Sequence, residues 1–293
     1  MGRLRTSVSN TFRGFLIGLA EIVPGVSGGT IALIVGVYET LIQSASQAVK
    51  ALLAAAKLQR FAVTEALRQV PWGLVIPVGF GMVFGIVIGA WFLEPIITAY
   101  PIIVRAIFAG MILASLWIPL RMVGALWTPR LFVVALAGGV ATFFLTGLGH
   151  ASAASVDWWW IPPAAALAVC ALILPGVSGS YLLLTLGMYE PTLSAVNDRD
   201  FGYLSLFLLG AITGLALFVR VLQHVLTHYR AATLALMTGL MAGSLRALWP
   251  WQNQAREIVP PGPDVLTVAF FALAGFVAII ALMWMERLVR SRR

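Results

Sequence analysis

The residues whose types and spacing point to chemistry are hydroxyls and glycines, and the chain carries them twice. Residues Pro24 to Glu39 read PGVSGGTIALIVGVYE, and Pro175 to Glu190 read PGVSGSYLLLTLGMYE. At an offset of 151, nine of these sixteen positions are identical. A glycine-rich break that opens a helix presents unpaired backbone N–H groups at a positive dipole end, an arrangement that takes anions, phosphate foremost. Ser27, Gly28, Gly29 and Thr30 open the helical arm after the first break, and Ser178, Gly179 and Ser180 open the one after the second. Their side-chain hydroxyls add donors. Pro24, Gly25, Pro175 and Gly176 are the matching hinge residues. The competing reading is a tight turn that only lets helices pack. Two matched copies favour a site, because paired breaks in the hydrophobic segments of two halves mark transporter binding sites.

Other charged and titratable residues are weighed against plainer roles. Glu21 precedes the first break by three residues, and its repeat partner is Leu172. A carboxylate at membrane depth is a functional hypothesis, here for proton coupling, against a structural role in capping backbone N–H groups. Arg105 and Arg246 sit inside the ends of apolar spans, placed to grip a phosphate bidentately or to snorkel to the interface. Glu39 and Glu190 read as helix caps or interfacial groups. His224 and His228 are spaced i, i+4, but no third ligand stands nearby, so no metal site is expected. There is no nucleophile–base pair and no dinucleotide fingerprint, and Gly25 to Thr30 lacks the lysine of a phosphate-binding P-loop. No catalytic residue and no cofactor is expected.

The elements that must position these residues are apolar. Of 293 residues, 60% are hydrophobic and 10% charged; a soluble domain carries about 25% charged residues. The mean hydropathy of +0.96 and several charge-free runs of about twenty residues imply a polytopic, all-α membrane protein. The net charge of +8 reflects arginines and lysines at the ends of apolar segments, not nucleic-acid binding. The single cysteine, Cys170, excludes an intrachain disulfide. The basic N-terminal lead lacks a small-residue cleavage site and reads as retained.

Along the chain, a broken segment covers 14–43, a basic amphipathic surface segment 44–72, and apolar spans 74–93, 102–120 and 131–149. A second broken segment covers 164–193, followed by spans 201–219, 231–248 and 265–285. The repeat continues beyond the motif. At an offset of 129, Gly81/Gly210, Gly85/Gly214, Tyr100/Tyr229, Gly110/Gly239 and Ser115/Ser244 match, and at 137 Ala135 to Gly138 match Ala272 to Gly275. The chain therefore divides into residues 1–149 and 150–293. If each break is a re-entrant hairpin, three crossings per half make the second half upside down. With cytoplasmic termini, 15 of the 19 basic residues then lie inside, as loop charge bias requires. A full crossing at each break would put the basic 44–72 segment outside. The expected architecture is two inverted repeats, each a re-entrant helical hairpin plus three transmembrane helices.

The motifs EIVPGVSGGT (Glu21–Thr30) and ILPGVSGSYLLLTLGMYE (Ile173–Glu190) resemble the PopT-type family of polyprenyl-phosphate transporters, a bacterial membrane family formerly of unknown function. The resemblance covers nearly the whole chain. It implies that the substrate is undecaprenyl phosphate, returned from the outer to the inner leaflet of the bacterial cytoplasmic membrane for reuse in cell-wall synthesis. It also implies that Glu21, the Pro24–Thr30 motif and the Pro175–Ser180 motif carry that function. The expected partners are this lipid and the surrounding membrane lipids, with homodimer formation left open and no nucleic acid. The alternatives are a secondary transporter of a small organic anion and, ranked below it, a membrane lipid-phosphate phosphatase.

Overall fold

A computed structural model describes residues 2–22, 27–148, 157–253 and 257–291. Pro24, Gly25, His150 and Arg256 lie outside the described residues. In chain order the first half comprises α1 (Gly2–Glu21), α2 (Gly28–Ile34), α3 (Tyr38–Ala56), α4 (Arg60–Arg68), α5 (Trp72–Ala99), α6 (Pro101–Ser115), α7 (Trp117–Val123) and α8 (Pro129–Leu145). The second comprises α9 (Ile161–Ile173), α10 (Gly179–Thr185), α11 (Tyr189–Asn197), α12 (Phe201–His228), α13 (Arg230–Ser244) and α14 (Val265–Ser291). Among the described residues the only strand-like pairing is one bridge, Gln252 to Ile258.

The internal repeat reappears in the element boundaries. Shifting α2 by 151 gives the limits of α10, and shifting α5 and α6 by 129 gives those of α12 and α13. The turn after each broken segment is also the same. Gly36 and Gly187 both have φ +70. Val37 N–H donates to Ala32 O and Gly36 N–H to Leu33 O, while Met188 N–H donates to Leu183 O and Gly187 N–H to Leu184 O. This is a Schellman cap, which stops a helix at a left-handed residue that glycine supplies without strain. It ends α2 and α10 after two turns and starts a new helix at Tyr38 and Tyr189.

Packing follows the same pairing. Within halves, α1 lies along α5 and α9 along α12; between halves, α6 lies along α14 and α8 along α13. The inter-half pairs reuse one contact. A Cβ on Gly110 would overlap Ala272 O, and one on Gly239 would overlap Ala135 O; Ala135 and Ala272 are themselves repeat partners. Small residues let helix backbones meet where lipid offers no competing drive to associate. On α5, Gly81 and Gly85 press on the α1 backbone and Gly89 on the Leu19 and Ile22 side chains; Gly79 faces open space. The core lies around α6 and α13, where Ile112, Leu234, Met237 and Met241 are almost fully buried. Phe80, Phe92 and Trp91 on α5 point outward, as side chains bathed in hydrocarbon do.

Four helical stretches among the described residues are long and apolar enough to cross a membrane: Trp72–Phe92, Pro101–Leu126, Phe201–His228 and Val265–Trp284. Six plain spans were expected. At 131–149 the helix is α8, with 17 residues, about 26 Å at 1.5 Å per residue. At 231–248 it is α13, with 15 residues, about 22 Å by the same rise. Both fall short of a hydrocarbon core of about 30 Å. Two further boundaries differ from expectation. The basic lead at 1–13 is part of α1 rather than a separate segment. The amphipathic segment at 44–72 is two helices, broken at Leu58, whose φ is +56. The first of them, α3, buries Ile42, Val49, Ala51 and Ala54 and packs against α12 and α4.

Candidate functional site

The two breaks touch, although 151 residues separate equivalent positions. Ser27 Oγ donates to Leu174 O at 3.0 Å, and Gly176 N–H donates to Thr30 Oγ1 at 2.9 Å. Ser27 is 2% exposed and Thr30 is fully buried. Glycine is required where the backbones close in. Gly176 has φ +87, and a Cβ there would lie 2.6 Å from Met241 N on α13. A Cβ on Gly29 would lie 2.7 Å from Ile173 O at the end of α9.

Each break opens a helix from an extended N-cap residue: Ser27 has φ −110 and ψ 128, and Ser178 has φ −97 and ψ 126. The caps then diverge. Ser178 Oγ accepts from Tyr181 N–H at 3.4 Å and hydrogen-bonds Ser180 Oγ at 3.0 Å, as N-cap serines do. Ser27 gives α2 no such cap, because its hydroxyl is turned to Leu174. The first donor of α2 is met by a carboxylate instead: Glu21 Oε1 accepts from Gly28 N–H at 3.0 Å. The equivalent position in the second half is Leu172, which cannot accept. The N–H groups of Gly29, Gly179 and Ser180 make no hydrogen bond among the described residues. They are what remains of the helix-opening donor set once the protein's own acceptors are served.

Ser27, Gly29 and Thr30 of the first break are thus brought against Ile173, Leu174 and Gly176 of the second, with Glu21 on Gly28, and Ser178, Gly179 and Ser180 follow Gly176 along the chain. The arginines bond to backbone carbonyls. Arg105 Nη1 donates to Pro250 O at 3.4 Å. Arg246 Nη1 donates to Phe143 O at 2.9 Å, and the guanidinium lies 4.8 Å from the centre of the Phe143 ring. A cation on the last carbonyls of α8 suits the negative end of that helix. Both arginines share the turn at 246–252, where Gln252 Nε2 donates to Arg246 O. They form a separate cationic group tied to protein carbonyls. His224 and His228 stack with ring centroids 4.3 Å apart, and no group of three metal-ligating side chains occurs among the described residues.

Two contacts were not foreseen from the sequence. Tyr181, the repeat partner of Thr30, donates to Thr146 O at 2.8 Å and to Leu148 O at 3.2 Å, joining α10 to the end of α8. Glu39 pairs with Arg230 through bonds of 2.8 and 3.0 Å. The signal for the first was the replacement of a small hydroxyl by a long one at an aligned position. The second had none, because 191 residues separate the partners.

No solved structure matches this chain. Among curated proteins, one named polyprenyl-phosphate transporter from Vibrio cholerae is 37% identical over 269 residues, 88% of this chain and 85% of its own. Another of the same name from Staphylococcus aureus is 28% identical over 259 residues, 82% of this chain and 86% of its own. Residues 17–264, which include both breaks and every candidate residue above, match the VCA0040-like family, described as undecaprenyl phosphate translocase-like. That match spans both breaks and most of the chain, and the chain belongs to the VCA0040-like, undecaprenyl phosphate translocase-like family.

Proposed function

We propose that this chain is a lipid-carrier translocase that moves undecaprenyl phosphate from the outer to the inner leaflet of the bacterial cytoplasmic membrane, for reuse in cell-envelope synthesis. The two halves are inverted, each break is a re-entrant hairpin, and both termini are cytoplasmic. The polyprenyl tail stays in lipid throughout, so its passage costs little. The phosphate carries the barrier, because an unpaired buried charge costs tens of kcal/mol in a low-dielectric medium. The observation that carries this reading is the contact between the breaks, which leaves the N–H groups of Gly29, Gly179 and Ser180 unserved beside buried hydroxyls. Backbone N–H groups at helix starts are the protein's means of holding phosphate without a mobile cation. Exchange of the repeat-related helix pairs α6–α14 and α8–α13 offers a route to alternating access.

Glu21 adds a condition. Its carboxylate already sits on Gly28 N–H, and a phosphate at the same donors would meet a like charge. Protonation of Glu21, or its withdrawal, must accompany headgroup binding, which couples transport to protons. The experiment is leaflet-resolved transport of undecaprenyl phosphate in proteoliposomes across a pH series, with soluble phosphate esters as competitors. The wild type accelerates lipid movement, soluble esters compete weakly, and binding weakens as pH rises and Glu21 ionises. Glu21→Gln keeps headgroup binding and loses that dependence. Equal transport of soluble esters would instead establish a small-anion transporter, and release of inorganic phosphate a phosphatase. An unchanged pH profile in Glu21→Gln would remove proton coupling through this residue.

A further inference from the structure

A cavity of about 530 Å³ lies where the turn between α2 and α3 faces α7 and α14. That volume is in the range of small-molecule sites, about 300–1,000 Å³. It is distinct from the paired breaks, since it meets α2 at Leu33 and Ile34, at the far end from Gly28. Leu33, Ile34, Ile118 and Met122 make an apolar wall, and Trp117, 54% exposed, lines it at the protein's surface. Four polar residues line it as well: Tyr38, Glu39, Thr40 and Arg121. Glu39 is neutralised by Arg230. Arg121 makes no ion pair or hydrogen bond among the described residues. Tyr38 is 4% exposed; its hydroxyl is closed off from the cavity and has no hydrogen-bond partner among the described residues.

An uncompensated cation beside an apolar wall defines the chemistry of an anionic amphiphile. We infer that this cavity is a second seat for polyprenyl phosphate, on the inner-leaflet side of the protein. Arg121 holds the phosphate there, and the first prenyl units lie along Leu33, Ile118 and Met122. This rests on the function proposed above and adds the release end of the path. The repeat supports it. Position 117 corresponds to 246 at the 129 offset, and Arg246 there lies over Phe143 and binds the end of α8. The seat is thus open at one end of the molecule, while at the repeat-related end a side chain is folded onto the neighbouring helix.

The test is the number of undecaprenyl phosphate molecules bound per purified chain, with undecaprenol as the neutral control and inorganic phosphate as competitor. The wild type and Arg121→Lys bind two equivalents. Arg121→Gln binds one. One equivalent in the wild type, kept by Arg121→Gln, would overturn the second seat and leave the proposed function standing. No binding by any of them would overturn both. Displacement of the second equivalent by inorganic phosphate at equal concentration would assign the cavity to free phosphate and overturn the lipid seat.

Discussion

In the first copy of the repeated motif Tyr38 is 4% exposed, and in the second its partner Tyr189 is 39% exposed. Glu39 is held by Arg230, while Glu190 makes no ion pair among the described residues. Ser27 and Thr30 use their hydroxyls on the other half, whereas Ser178 and Ser180 bond to each other and to their own helix. Backbone geometry is nonetheless shared, down to the φ of +70 at Gly36 and Gly187. The lesson is a division of labour inside a duplication. The residues that set backbone shape are kept twice. The residues that differ, Glu21 against Leu172 and Thr30 against Tyr181, make one break the clasp and the other the freer set of donors.

Three pairs of substitutions break or sharpen that contrast. The largest effect is expected at Gly176, where the backbone is left-handed and Met241 N leaves no room. Gly176→Ala should destabilise the protein by more than the about 1–2 kcal/mol that a left-handed conformation alone costs an L-residue. Gly187→Ala should cost only that. Thermal unfolding in detergent reads the difference, and equal losses would show that the approach to α13 is not tight. Next, Thr30→Val keeps shape but orphans Gly176 N–H, at about 1–3 kcal/mol. Ser180→Ala should change stability by under about 0.5 kcal/mol while weakening headgroup binding severalfold. If Ser180→Ala proves the more destabilising of the two, the clasp has been assigned to the wrong half. The smallest effect concerns the glutamates. The Glu39–Arg230 pair is part-exposed, with side-chain exposures of 34% and 51%, so Glu39→Gln should cost about 0.2–1 kcal/mol. Glu190→Gln should leave the unfolding temperature where it is.

Much of this organisation was legible in the residues. The breaks, their pairing and the glycine-lined helix contacts follow from an internal repeat whose offsets also relate the helix limits. The missed boundaries have local causes. A Schellman cap at Gly36 is a short signal inside an apolar run, so the broken segment at 14–43 did not reveal that α2 ends and α3 begins within it. The left-handed Leu58 that splits the segment at 44–72 carries no glycine to announce it. The arginines illustrate a different failure. Arg105 and Arg246 were expected at the phosphate because arginine suits it. Their actual acceptors are the carbonyls of Pro250 and Phe143, and no side-chain pattern marks a carbonyl.

Composition and repetition, read from the chain alone, determined a helical membrane protein with two matched, glycine-broken motifs, because hydropathy and backbone-breaking residues act locally. Tertiary structure decided which donors are spent and which remain. Ser27 meets Leu174, Thr30 meets Gly176, Glu39 meets Arg230, and Arg121 makes no ion pair or hydrogen bond among the described residues. Those outcomes depend on which backbone groups and side chains two distant stretches bring within about 3 Å of each other, the reach of a hydrogen bond. A one-dimensional pattern does not encode that distance.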